Sequence, residues 1–371
     1  MIYFDHNATT RCDERVSEAM QPYLNAMYGN PSSLYKLGRM ARSAIDSARN
    51  QVAALVDAEP DQIVFTSGGT EANALALVNA WECGLAISAI EHPSIFENAD
   101  HHRRLFRDVQ VLPVSASGTV KVDAITAMTW QSGDLASLML ANNETGAIQP
   151  VATIADLLAE RGVAVHTDAV QALGKMPISF RKLGVKLMSL SSHKIYGPKG
   201  CGALVVAADY HFRAWQRGGE QESGRRAGTE NVAAIVGFGK AAELAKKELD
   251  QRIGRVRELR RRLEAELSKV PGVKIFAEHS DRLANTVQFG IAGVNGEMLL
   301  MHLDKLNIAV SSGSACSAGS EVISPVLTAM AVEPLYARSA IRVSLGKDNN
   351  EAQIDEFIAG LKSALALNRE Y

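Results

Sequence analysis

A lysine stands at position 194 in SSHKIYGPKG, just past the apolar run VKLMSL. One reading is a surface lysine in the turn after a strand. The other is an amine that holds a carbonyl cofactor as a Schiff base. Asp168, in VHTDAVQALGK, closes a second apolar run 26 positions earlier. A carboxylate at the end of a buried strand needs a partner. An arginine or a backbone N–H would serve. So would a protonated pyridine nitrogen, and that pairing keeps the ring able to accept electrons from a substrate carbanion. Gln171, three residues on, is placed to hydrogen-bond the ring's phenolic oxygen. A third stretch, FTSGGTEANALAL, reads as a strand ending at Phe65, a small-residue turn and a helix beginning near Thr70. The free N–H groups and dipole of such a helix make an anion site, and Gly68 and Gly69 let a phosphate approach the backbone. Ser67 or Thr70 serves equally as a plain N-cap. The turn is neither the Gly-Lys loop of nucleotide triphosphatases nor the three-glycine turn of dinucleotide-binding folds. Phosphate turn, strand-end aspartate and strand-end lysine, in that order, are the set a pyridoxal phosphate (PLP) enzyme needs. Ser191 and His193 lie beside the lysine, within reach of a phosphate.

The four cysteines are Cys12, Cys83, Cys201 and Cys316. None forms a C-x-x-C pair and no zinc spacing is present, so no catalytic metal is expected. A disulfide framework is not expected in a chain this large and apolar. Cys12, Cys83 and Cys201 read as small buried hydrophobes. Cys316 lies in SSGSACSAGS, where small polar residues surround one thiol. Such a segment cannot pack a core and is expected to be exposed and mobile, which suits a thiol that delivers something. His166 reads as structural, and His101 with His102 as a surface pair lacking a third metal ligand.

These groups must be held by a framework. The chain has 371 residues, 47% hydrophobic and 22% charged, enough for two domains. A net charge of −2 gives no field favouring nucleic acid or an anionic membrane. No apolar run approaches a membrane span, and MIYFDHNATT lacks the features of a signal peptide, so a cytoplasmic protein is expected. The runs QIVFTS, GLAISAI, DVQVLPV, LASLMLA, VAVHTDA, KLMSLSS and GALVVA read as buried strands. Helical patterns such as TEANALALVNAWE and VATIADLLAERG lie between them. The alternation predicts an α/β fold with a mostly parallel sheet covered on both faces, binding its ligand at the carboxyl ends of the strands. From about Asp250, DQRIGRVRELRRRLEAELSKV predicts one long helix with a solvated basic face. VKIFAE, NTVQFGI, IAVSSG and AIRVSLG then predict the strands of a smaller α/β domain. The expected division is 15–258 as a large PLP-binding domain, and 1–14 with 259–371 as a small domain carrying the cysteine loop.

YFDHNATT, GNPSS, IVFTSGGTEAN, EHPS, NNETGAIQP, HTDAVQALGK, SSHKIYGPKG, RRAGTEN, SSGSACSAGS and IRVSLG run from Tyr3 to about Gly346. This set resembles the cysteine desulfurases, PLP enzymes of fold type I (aspartate aminotransferase-like). The subgroup it resembles has the extended cysteine loop and serves iron–sulfur cluster assembly. YFDHNATTR, GNPSSL and the end at Tyr371 lean toward the nitrogen-fixation type, with the housekeeping type next. The resemblance implies a homodimer that takes sulfur from L-cysteine, releases L-alanine and passes the sulfur, as a persulfide on Cys316, to an iron–sulfur scaffold protein. By position, Lys194 resembles the Schiff-base lysine, His92 the histidine that stacks on the ring and moves protons, and Asp168 the pyridinium partner. Asn143 and Gln171 match contacts to the ring substituents. Thr70, with Gly69 in the same turn, and Ser191 and His193 match phosphate ligands. Thr229 matches a threonine that reaches the phosphate of the neighbouring subunit. Arg342 and Asn143 match the residues that hold the substrate carboxylate, which an arginine fork suits. Cys316 matches the catalytic cysteine, able to contact a cluster transiently.

Departures from the family pattern are His6, Tyr35, Ser192 and Ala74. None removes a catalytic group. Arg225 and Arg226 read as a solvated pair or as part of a dimer edge. Other readings are a PLP aminotransferase or selenocysteine lyase-type enzyme that does not use Cys316, and a sulfur carrier with a vestigial cofactor site. The cysteine loop argues against the first, and the intact lysine, aspartate and phosphate turn against the second.

Overall fold

A computed structural model describes residues 1–312 and 323–368. After β1 (Ile2–Tyr3), the seven apolar runs form β2 (Ile63–Thr66), β3 (Gly84–Ser88), β4 (Asp108–Leu112), β5 (Leu135–Ser137), β6 (Ala164–Asp168), β7 (Leu187–Ser191) and β8 (Gly202–Val206). They make one sheet in the order β2-β8-β7-β6-β5-β3-β4. Only β8 is reversed, antiparallel to β2 on one side and β7 on the other. The remaining pairs are parallel, so β2, β3, β5, β6 and β7 end on one edge. Every residue of β2, β3, β5, β7 and β8 is buried, which is why these strands read as unbroken apolar runs. His166 sits in β6, fully buried between Ser137 Oγ and Ser189 Oγ at 2.9 Å each, a structural position. Cys201 is buried, whereas Cys12 and Cys83 are only partly so.

The long helix differs from its sequence expectation. It spans Val232–Leu267 and begins well before Asp250. Asn231 caps it through Ala234 N–H. Its first half, VAAIVGFGKAAELA, is apolar enough to be buried, so the charge texture at Asp250 marks where the helix passes to a half that buries only one side, through Val256, Leu259, Leu263 and Leu267, not where it starts. That buried half lies against the helix Lys36–Val56 at Gly239, where a Cβ would meet Ala48 Cα at 2.6 Å.

The remaining strands are β9 (Val273–Ile275), β10 (Thr286–Ile291), β11 (Ile308–Ala309) and β12 (Ile341–Ser344). β12-β10-β9 form an antiparallel sheet. IAVSSG yields only the two-residue β11, which pairs in parallel with β1. A second core gathers Ile2 and Phe4 with Leu263, Val287, Phe289, Ile341 and Phe357. The first core also takes in Phe276, Leu283, Leu327 and Ala340, so the two cores meet along a packed seam. On these two cores we propose 15–258 and 1–14 with 259–371 as the units of the chain. Among the described residues no helix is long and apolar enough to cross a membrane.

The close approach at Gly239 gives a direct test of the helix packing. Gly239→Ala should destabilise the protein by about 1–3 kcal/mol despite alanine's better helix propensity, because backbone and a small side chain cannot yield. Equilibrium denaturation measures it, and an unchanged midpoint would contradict the packing described.

Candidate active site

The edge where β2, β3, β5, β6 and β7 end encloses a cavity of about 250 Å³. Gly69, Thr70, His92, Asn143, Asp168, Gln171, Ser191, His193 and Lys194 all line it. They arrive from the ends of β2, β3, β5, β6 and β7 or the segments that follow them. Five strands therefore converge residues scattered over 126 positions, 69 to 194, onto one site.

Lys194 closes a short 3-10 turn, Ser192–Lys194, directly after β7. Its Nζ donates to Asn7 O at 2.5 Å and Ala8 O at 2.8 Å, both neutral acceptors. Burial, with the Arg342 charge adding to it, lowers its pKa to about 8; Asp168 and Asp5 oppose the shift. This amine gives up its proton far more readily near physiological pH than a surface lysine does.

Asp168 is 6% exposed. Its Oδ1 accepts from Val170 N–H at 2.9 Å and its Oδ2 from the Asn73 amide at 2.7 Å. Both donors are neutral, and no cation among the described residues pairs with it. Gln171 donates to Asn7 O at 2.9 Å and accepts from Lys175 Nζ at 2.7 Å. Lys175 also donates to Asn7 Oδ1 at 2.7 Å, and burial drives its pKa well below the ordinary lysine value.

His92 is the N-cap of the helix Pro93–His101. Its Nδ1 accepts from Ser94 N–H at 3.1 Å and lies 2.8 Å from Ser94 Oγ. An Nδ1 that accepts leaves the ring proton of neutral histidine on Nε2. Burial lowers the His92 pKa, against the pull of Asp168 and with that of Lys194. Its neighbour Glu91 accepts from Met139 N–H at 2.7 Å and from Ser88 Oγ, and burial raises its carboxyl to about 8.

The opposite end of the cavity suits an anion. The helix Gly69–Leu77 starts there without a side-chain cap; its N-cap is Gly68, not Ser67 or Thr70. A Cβ at Gly69 would meet Val170 Cγ2 at 2.9 Å, so this glycine keeps the cradle open. Ser191 Oγ is buried there with no hydrogen-bond partner among the described residues. His193 donates or accepts at Thr9 Oγ1, 3.0 Å away, and burial and nearby lysines hold its pKa down at about 4. Arg226 is only partly exposed, and its Nε donates to Glu71 Oε1 at 2.7 Å. Glu71 Oε2 in turn accepts from Ser67 N–H at 2.7 Å, bracing the turn.

An orphaned hydroxyl and open helix N-terminus at one end, and a carboxylate without a cation at the other, fit pyridoxal phosphate. The phosphate needs the first and a protonated ring nitrogen needs the second.

Two sequence candidates lie off this cavity. Arg342, on β12, is 3% exposed at its side chain. It donates to Asp5 Oδ1 at 2.7 Å and to Asn143 O at 3.1 Å, so it abuts the site through Asn143. Thr229 is exposed and does not line its own chain's cavity. Cys316 lies outside the described residues. Of the departures, His6 is buried against the edge of Tyr3, ring centroids 5.0 Å apart, behind Lys194; Tyr35 is 56% exposed. Sequence reasoning missed Asn7, Asn73, Ser94 and Lys175. Asn73 alone carried a signal, as an amide on the buried face of a helix otherwise built from small and aliphatic residues.

The chain matches the family described as aminotransferase class-V over residues 2–357. A cysteine desulfurase of Gluconacetobacter diazotrophicus is 41% identical over all of this chain and 94% of its own length. The cysteine desulfurase IscS of Dictyoglomus turgidum is 41% identical over 93% of this chain and 89% of its own. Among solved structures, a NifS-like protein of Rickettsia africae superposes with a TM-score of 0.90 at 34% identity, covering 99% of both chains.

The electrostatics of Lys194 can be read in the cofactor-free protein. Isotope-labelled methylation followed by NMR should find its amine titrating near pH 8, well below the ordinary lysine value, with Lys175 the other lysine shifted down among the described residues. Arg342→Gln removes a cation and unpairs Asp5, whose charge favours the ammonium form, so the midpoint should rise. A midpoint that stays or falls would contradict this assignment.

Proposed function

Since the chain belongs to the aminotransferase class-V family and, within it, to the cysteine desulfurases, we propose how its own residues take sulfur from L-cysteine. The enzyme is PLP-dependent, leaves L-alanine, and supplies sulfur for iron–sulfur cluster assembly. The observation that carries the residue assignment is the convergence of a depressed amine, a cation-free carboxylate and an open phosphate cradle on one cavity.

When bound, pyridoxal phosphate supplies an aldehyde that takes up the substrate amine and a cationic ring that accepts electrons from Cα. Asp168 holds the ring nitrogen, and Gln171 and Asn143 contact the ring substituents. Gly69, Thr70, Ser191 and His193 hold the phosphate. Lys194 would hold the cofactor aldehyde and, as a free amine, would take the Cα proton; its depressed pKa favours the amine as a base. His92 would stack on the ring and handle the substrate thiol proton. Arg342 and Asn143 hold the substrate carboxylate. In this structure Asp5 occupies Nη2 of Arg342, so the substrate exchanges one carboxylate for another.

Cys316, as thiolate, attacks the substrate sulfur. The new S–S bond forms as the Cβ–S bond breaks, and Cβ gains a proton. The net change is L-cysteine plus the Cys316 thiol giving L-alanine plus the Cys316 persulfide, without an external oxidant.

The same reading includes a cytoplasmic homodimer in which Thr229 reaches the neighbouring phosphate. Its exposure away from its own cavity supports that role. It also places the chain with the nitrogen-fixation type, on YFDHNATTR and GNPSSL, and gives the sulfur to an iron–sulfur scaffold protein.

Mass spectrometry of the protein after L-cysteine, without reductant, tests the assignment. One added sulfur should map to the Cys316 peptide and vanish in Lys194→Ala and Cys316→Ala. No added sulfur with cofactor bound would overturn it in favour of an aminotransferase, and sulfur elsewhere would overturn the role of Cys316. Arg342→Lys should raise KM for L-cysteine about tenfold or more, with a smaller fall in kcat, because the bidentate fork is lost.

A further inference from the structure

One buried side chain ties the carboxylate to the histidine and is used by neither role above. Asn73 lies one turn into the helix Gly69–Leu77 and is 1% exposed. Its Nδ2 donates to Asp168 Oδ2 at 2.7 Å and to Ser94 Oγ at 2.9 Å. A carboxylate accepts only, so Asp168 fixes which end of the amide faces it. Both amide protons are then committed. Asn73 Oδ1 is left buried without a partner among the described residues, a cost the site tolerates.

The consequence runs through Ser94. Its Oγ receives the second amide proton and keeps its own hydroxyl proton for His92 Nδ1, 2.8 Å away. The Ser94 backbone N–H reaches the same nitrogen at 3.1 Å. We infer that Asn73 is a positioning residue of the reaction: clamped by Asp168, it sets Ser94 so that both Ser94 donors engage His92 Nδ1 and the ring proton stays on Nε2. The two groups that bracket the cofactor ring are thereby fixed by one amide. This rests on the roles given above to His92 and Asp168, but its geometry does not depend on the substrate.

The prediction concerns the charge of His92. Hydrogen bonds donated to Nδ1 favour neutral imidazole. The charged or titratable groups around it are Asp168, Lys194 and its chain neighbour Glu91. Without Asn73, Ser94 Oγ is free to turn and accept a proton from Nδ1, and Asp168 loses a donor that partly neutralises it. Both changes favour imidazolium.

The test uses holoenzyme labelled with heavy nitrogen in histidine, the His92 signal being identified by its loss in His92→Ala. In Asn73→Ala the His92 titration midpoint should rise by about half a pH unit or more. Ser94→Ala should raise it too, and the double variant should rise no further than the larger single change, since both cut one path. Ser94→Ala also keeps the question answerable if Asn73→Ala fails to fold. A His92 midpoint unmoved in folded Asn73→Ala or Ser94→Ala, or strictly additive shifts, would overturn the inference. Because no turnover is needed, absence of a Cys316 persulfide would refute the reaction assigned above and leave this result standing.

Discussion

Asp168 puts a carboxylate at the buried end of β6, and a charge there must be satisfied or neutralised. The chain gives it two neutral donors and no cation among the described residues. An unpaired buried carboxylate is expensive, and a protonated ring nitrogen would satisfy it. Much of the surrounding arrangement follows from that demand. Lys194 sits one strand over, close enough to be influenced by Asp168 yet bonded to carbonyls rather than to it. His92 is held neutral beside it by burial and by Ser94. The helix dipole at Gly69 stands ready for the opposite charge at the far end.

The polarity of the cavity depends on the sheet. Strands that run the same way finish on the same edge, and only β8 runs against them. The second core brings β12 and Arg342 against the loop bearing Asn143, while the first residues of the chain thread between the two cores. Asn7 shows how tightly this is sewn. It accepts from Lys194, Lys175 and Gln171 and donates to Asn143 O and Thr286 Oγ1. An N-terminal segment so placed couples the Asn143 side of the site to the Lys194 side.

Much of this was legible in the sequence because its signals are local. The seven strands announced themselves as unbroken apolar runs, since both faces are covered. Asp168 and Lys194 stood at the ends of two of them, and the strand–glycine–helix turn has one common use beside such a pair. What stayed hidden was pairwise and long-range. Nothing near Asn73 in the chain says that it meets residues 94 and 168. Arg226 looked like surface charge because its partner Glu71 is 155 positions away. The helix Val232–Leu267 was read short because its buried half is uncharged and rich in small residues, so composition changed inside one element. Arg342 was placed by motif alone; the strand pairing that carries it beside Ser311 and Asn143 belongs to topology.

The central claim is that Asp168 holds the ring nitrogen of the cofactor in its protonated form. Nitrogen NMR of the enzyme loaded with ring-labelled pyridoxal phosphate reads that proton directly. The account predicts a pyridinium signal in the native protein across the neutral range, and a neutral pyridine signal in Asp168→Ala. A neutral ring nitrogen in the native protein would contradict it.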